Sequence, residues 1–152
     1  MQEMQNLKND VEAICEQLGI EVHWYPIEEC AVNWGHSKER KINVRKIYNG
    51  GDYAAALHEI GHVECDAEEK PQGVLLLLQE CRAWQWAIER AKDRFDSAAW
   101  QRVGNDLESY LRNCGIYEQE APGQWKEIME LVGAHPIFGV PSPASLGRRK
   151  KK

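Results

Sequence analysis

The chain predicts an α+β domain, with an N-terminal helix, a small three-stranded sheet, antiparallel or mixed, and then helices alone. Three observations predict it. Apolar residues recur at three- and four-residue spacing near both ends of the chain, and β-rich segments are confined to residues 20–48. Between these regions His58-Glu59-Ile60-Gly61-His62 lies in a run of strong helix formers.

Met4, Leu7, Val11, Ile14 and Leu18 mark the first helix, which Gly19 ends. Residues 20–25, Ile-Glu-Val-His-Trp-Tyr, alternate and are β-rich until Pro26 stops them. Residues 29–34 and 41–48 also read as strands, with 35–38 as the turn between them. Tyr48-Asn49-Gly50-Gly51-Asp52 is a turn cluster, and Asp52 is the expected N-cap of a helix over 53–66. Residues 74–93 form a second long helical run, strongly apolar in its first half. Trp100, Val103, Leu107, Tyr110, Leu111 and Cys114 mark a fourth helix, closed by Gly115. Pro122 opens a fifth, carrying Trp125, Ile128, Met129 and Val132 and ending at Gly133.

Residues four apart on a helix share a face, so His58 and His62 can present two imidazoles to one metal ion, for which zinc is the natural choice. Glu59, one step round, sits beside the metal's open position as a general base. By composition alone such a pattern arises in roughly two chains in a hundred, so its setting matters. Gly61 costs about 1 kcal/mol of helix propensity, which makes sense if another backbone packs close to this helix. A hydrolytic zinc site takes a third protein ligand from elsewhere. Glu80, at the edge of the apolar stretch and beside Leu76, Leu77, Ala83 and Trp84, is the first candidate, because a carboxylate there is costly unless paired. Glu89 is the rival, though Arg90, Lys92, Asp93 and Arg94 surround it with solvated charge. Cys65 and Asp66, three and four residues after His62, are read as a buried small side chain and a polar helix end.

His58-Glu59-Ile60-Gly61-His62 followed by Glu80-Cys81-Arg82-Ala83-Trp84-Gln85-Trp86-Ala87 resembles the H-E-x-G-H plus E-x-x-A-x-x-(aromatic)-A signature of small gluzincins, and most nearly the ImmA/IrrE type of metallopeptidase, over residues 40–90. The resemblance implies a minigluzincin-like fold, a zinc cofactor, and Glu80 as third ligand to His58 and His62. Trp84 departs from it, standing where several gluzincins carry a carboxylate that supports the metal ligands. It also implies a protein substrate, such as a regulator of a mobile element, a phage or its host.

Length and composition fit one domain over residues 1–135 with a real core, and a Pro-containing basic tail over 136–152 expected to be disordered. With 43% hydrophobic and 28% charged residues the chain is not disordered throughout. No apolar run approaches the length of a membrane span, and the N-terminus lacks the pattern of a secretion signal. Five cysteines without framework spacing (Cys15, Cys30, Cys65, Cys81 and Cys114) point to reduced thiols and a cytoplasmic setting. The last five residues hold five of the 19 basic groups, so residues 1–147 carry a formal charge of −10. That body disfavours nucleic acid, leaving only a weak tether through the tail.

Three functions follow from different classes: a zinc-dependent endopeptidase, a zinc-stabilised protein-binding module, and a nucleic-acid-associated regulator acting through the tail. Glu59 favours the first, since a structural zinc site has no use for a general base. The strand at 41–48 is expected at a sheet edge, where an extended substrate adds by main-chain hydrogen bonds. An oxyanion donor is also needed. Tyr110, Tyr117 and His135 lie downstream, and no spacing selects among them.

Overall fold

In a computed structural model the described residues are 2–66, 71–112 and 116–133. The predicted α+β layout is present. Helix α1 (Gln2–Leu18) precedes strands β1 (Glu21–Tyr25), β2 (Trp34–His36) and β3 (Lys41–Arg45). Five helices follow: α2 (Gly50–Cys65), α3 (Val74–Ala91), α4 (Ser97–Arg112), the short α5 (Tyr117–Glu120) and α6 (Pro122–Gly133). The sequence did not announce α5. The basic tail, Cys114, Gly115 and His135 lie outside the described residues.

The stop of α1 follows the glycine rule. Gly19 takes φ +70°, and the N–H groups of Gly19 and Ile20 return to the carbonyls of Glu16 and Cys15. Val11, Ile14 and Cys15 of α1 are buried, and Tyr53 of α2 donates to Asp10 at 2.6 Å, tying the two helices together.

The sheet is mixed, in the order β1-β3-β2. β3 runs parallel to β1, with Glu21 opposite Lys41, and antiparallel to β2, with Trp34 opposite Asn43. Two expectations are corrected here. β3 is the central strand, with Ile42, Asn43 and Val44 buried, so it offers no edge to a substrate; β2 is an edge. The strand expected over 29–34 instead falls on Trp34–His36, partly within the expected turn. Residues 29–33 are held by side chains rather than by a ladder: Asn33 Oδ1 accepts from Tyr25 Oη and from Arg45 N–H, and Asn43 Nδ2 donates to the Val32 carbonyl. The reversal into β3 ends at Arg40, at φ +53°, whose guanidinium donates to the Leu18 carbonyl and pairs with Glu64.

α2 is buried along nearly its whole length, packed by α3, α4, the sheet and α1. A helix covered on all sides has room only for small or apolar residues, hence Ala54-Ala55-Ala56-Leu57. Its N-cap is Asn49 rather than Asp52. Asn49 has extended backbone and its side chain accepts from Asp52 N–H at 3.0 Å. Asp52 lies in the first turn of the helix, where its carboxylate takes the Arg45 guanidinium and the Tyr48 N–H.

Gly61 has a packing reason. A Cβ at this position would lie 2.5 Å from the Ala83 carbonyl oxygen, so α2 and α3 cross in backbone contact there. On α3, Leu77, Leu78, Cys81, Trp84, Ala87 and Ala91 face the core, whereas Leu75 and Leu76 are exposed, so Leu76 does not flank Glu80 in a buried face as expected. α4 starts at a capping Asp96, which accepts from Ala99 N–H, and buries Ala99, Val103 and Leu107. No helix among the described residues is long and apolar enough to cross a membrane.

Candidate metal centre

His58, Glu59 and His62 are all buried on α2, and one potential ligand atom from each lies within 4.8 Å of the others. α3 crosses so that Glu80 meets both rings. Its Oε2 is 2.8 Å from His62 Nε2 and its Oε1 is 3.4 Å from His58 Nε2. The close crossing at Gly61 brings these two helices near enough for one carboxylate to face both imidazoles. Glu89, the alternative on the same helix, is exposed to solvent.

Each ring is held in place. The Asp66 carboxylate accepts from His62 Nδ1–H at 2.9 and 3.0 Å, which directs Nε2 toward Glu80. Asp66 thus orients the His62 ring and is more than the polar helix end expected. Trp84 instead stacks on His58, centroids 4.3 Å apart and planes 19° from parallel, and fixes that ring by its face. His58 Nε2 is buried without a hydrogen-bond partner. A buried polar atom left so is costly, and a metal ion between it, His62 Nε2 and Glu80 would satisfy it. Two imidazole nitrogens and one carboxylate are a donor set suited to zinc. Tyr110 of α4 donates to Glu80 Oε1 at 2.9 Å, fixing the carboxylate from its far side.

Electrostatics bind the cluster together. Burial acts to lower the pKa of His62, but Asp66 and Glu80 outweigh it and raise the value to about 10. Burial likewise opposes a charge on His58, yet Glu59 and Glu80 leave its pKa above the ordinary imidazole value. For Glu80 burial acts upward, and the two imidazoles nevertheless hold its carboxyl well below the usual range. Burial, then the Glu80 charge, push the Tyr110 phenol far above the tyrosine norm. Without a metal, the rings and Glu80 thus share protons that a dication would replace.

The centre opens into a pocket of about 400 Å³. His58, Glu59 and Glu80 form one wall. The rest of the lining is Tyr25, Val32 and Asn33 from the β1–β2 region, Arg45 with its partner Asp52, and Arg102 and Asp106 from α4. Of the expected oxyanion candidates, Tyr110 reaches the centre through Glu80, while Tyr117 lies near Gly73 at the start of α3. Sequence reasoning did not find Arg45, Asp52, Arg102 or Asp106. The signal available was the four-residue spacing of Arg102, Asp106 and Tyr110, which puts three polar groups on one face of α4. His23 and His36 are exposed and take no part in the centre, and His36 stacks on Trp34.

No protein family, curated protein or solved structure matches this chain. Its chemistry is therefore read from these residues: a buried His-Glu-x-x-His triad in a small α+β domain, able to hold a metal ion at the side of a pocket, with the Glu59 carboxylate 3.4 Å from His58 Nδ1.

Proposed function

We propose that the protein is a zinc-dependent endopeptidase that cuts a specific protein partner, a small gluzincin of the ImmA/IrrE type whose partner regulates a mobile element, a phage or its host. The observation that carries this is the convergence of His58, His62 and Glu80 on one point, with Glu59 beside it and a pocket in front. A bare binding module needs neither the extra carboxylate nor the opening. In this reading His58, His62 and Glu80 hold the zinc, Asp66 orients His62, and Tyr110 steadies Glu80. Zinc bound there supplies a Lewis acid that polarises a peptide carbonyl and makes water more acidic. Glu59 accepts the proton of the attacking water and passes it to the leaving amine. β2 is the edge that receives an extended substrate, since it adjoins α2 at the Glu59 carbonyl and follows the pocket-lining Val32 and Asn33.

Glu59→Gln keeps size and removes the base. This variant is expected to bind about one zinc per chain, as wild type does, to lose cleavage by at least about a hundredfold, and to retain its partner as a trap. Elemental analysis, co-purification with the trap, and mass spectrometry of the partner after exposure to wild type test this. A partner held equally by both forms and never cut would mark the domain as a zinc-stabilised binding module. Wild-type protein that takes up no zinc would remove the metal from the account altogether.

A further inference from the structure

The pocket wall facing the metal centre carries more donors than its own carboxylates use. Arg45 and Arg102 each present five guanidinium N–H donors. Arg45 spends Nε and Nη2 on a single oxygen, Asp52 Oδ1, at 3.0 and 2.6 Å, which leaves the Nη1 donors outside that pair. Asp52 is itself buried, and its other oxygen accepts Tyr48 N–H, so the carboxylate is held at both oxygens and anchors the guanidinium. Asn33 adds to this rigidity by accepting both Arg45 N–H and Tyr25 Oη. Arg102, from α4, completes the wall. Among the described residues its ion pair is with Asp106, through Nε at 3.7 Å, longer than a hydrogen bond. Asp106 lines the same pocket as His58, Glu59 and Glu80. Donors from two guanidiniums, one of them rigid, thus border an open space beside the reacting centre.

We infer that Arg102, with the fixed Arg45 beside it, makes this pocket a subsite for a carboxylate of the substrate. The carboxylate belongs either to an acidic side chain near the scissile bond or to the C-terminus of the peptide. The forked geometry of a guanidinium suits two-point contact with such a group, and a substrate ammonium would meet like charge there. Arg102 is then a specificity-determining residue. This inference rests on the peptidase reading of the neighbouring centre, and the experiment separates the two.

Zinc-loaded wild type and Arg102→Gln are incubated with a diverse peptide library, in free-acid and C-terminally amidated forms, and cleavage sites are identified by mass spectrometry. Matched peptides with Glu or Gln at the selected position then give kcat/KM ratios, and fluorescence anisotropy with zinc-loaded Glu59→Gln gives binding. Arg102 is used because Arg45 variants would strand the buried Asp52 and threaten the fold. Wild type should favour either Glu over Gln at one fixed position or the free acid over its amide, and Arg102→Gln should cut whichever ratio appears by about tenfold or more, mainly through KM. Arg102→Glu should favour Lys or Arg there, and zinc content should be unchanged in both variants. If amidation abolishes the preference, the carboxylate is the C-terminus; if amidation has no effect, it is a side chain. Cleavage with no carboxylate preference, or a preference that survives Arg102→Gln, overturns the inference and leaves the peptidase reading intact. Selective, Arg102-dependent binding without cleavage does the reverse. Neither binding nor cleavage overturns both.

Discussion

At the scale of single residues, what decides this centre is how little freedom its side chains have. His62 is pinned through Nδ1 by Asp66, His58 is clamped against Trp84, and Glu80 takes the Tyr110 hydroxyl. Such outer contacts commonly set metal affinity as strongly as a neighbouring ligand does. Asp66→Asn is expected to keep the fold and weaken zinc binding by about 10–100-fold, read by competition with a chelating dye. An affinity within twofold of wild type would show that Asp66 does not orient His62. The metal triad was legible in the sequence because its spacing encodes a shared helix face. Asp66 was visible at the same spacing from His62 yet passed over, since an acid at a helix end has an ordinary capping use. The spacing of Arg102, Asp106 and Tyr110 marks a polar face of α4, but that this face meets the pocket is decided by tertiary packing, which no local pattern reports.

At the scale of elements, the crossing of α2 and α3 sets the distance between the histidines and Glu80. Gly61 was readable as a close approach because its propensity cost demanded a reason, and the Ala83 carbonyl supplies it. Gly61→Ala would gain about 1 kcal/mol of helix propensity, but the added methyl has to push α3 away. Overpacking of this kind costs about 1–3 kcal/mol, and it should also loosen zinc, because Glu80 rides on the displaced helix. Urea unfolding of the zinc-free variant and its zinc content are the two measurements. A variant as stable as wild type with full zinc would show that the crossing can relax. The strand near residues 29–36 was misplaced for a related reason. Residues 29–34 read as a strand, whereas the Asn43 side chain takes the Val32 carbonyl and the Asn33 side chain takes the Arg45 N–H of β3, and only Trp34–His36 pair in the ladder.

At the scale of the whole molecule, metal, protons and stability are linked. The raised pKa of His62, about 10 against an ordinary 6.5, stabilises the metal-free fold fully below pH 6.5, and this contribution is lost as pH rises toward 10. The depressed Glu80 pKa contributes above its ordinary 4.5 and is lost as pH falls. The metal-free protein should therefore lose stability from this cluster on alkalinisation above about pH 6.5. Zinc needs the neutral ring, so its uptake releases the His62 proton. Apparent zinc affinity should rise about tenfold per pH unit across roughly pH 6.5–8.5 for one proton released, and zinc should stabilise the fold more at the alkaline end. Calorimetric zinc titrations in buffers of different ionisation enthalpy measure the released proton. An affinity that does not change with pH would mean that His62 is already neutral in the metal-free protein.

Gly35 of β2 has a consequence for descent. A Cβ there would fall on the Glu59 carbonyl, with Val63 close behind, so the strand bordering the reactive turn of α2 tolerates no side chain at this point. Chains that keep this architecture are expected to carry glycine at that place in the strand as well as inside the His-Glu-x-x-His stretch. The paired glycines, one in each element, form a fingerprint that chance occurrences of the short motif would lack. They offer a way to trace distant kin of this chain after overall resemblance has eroded.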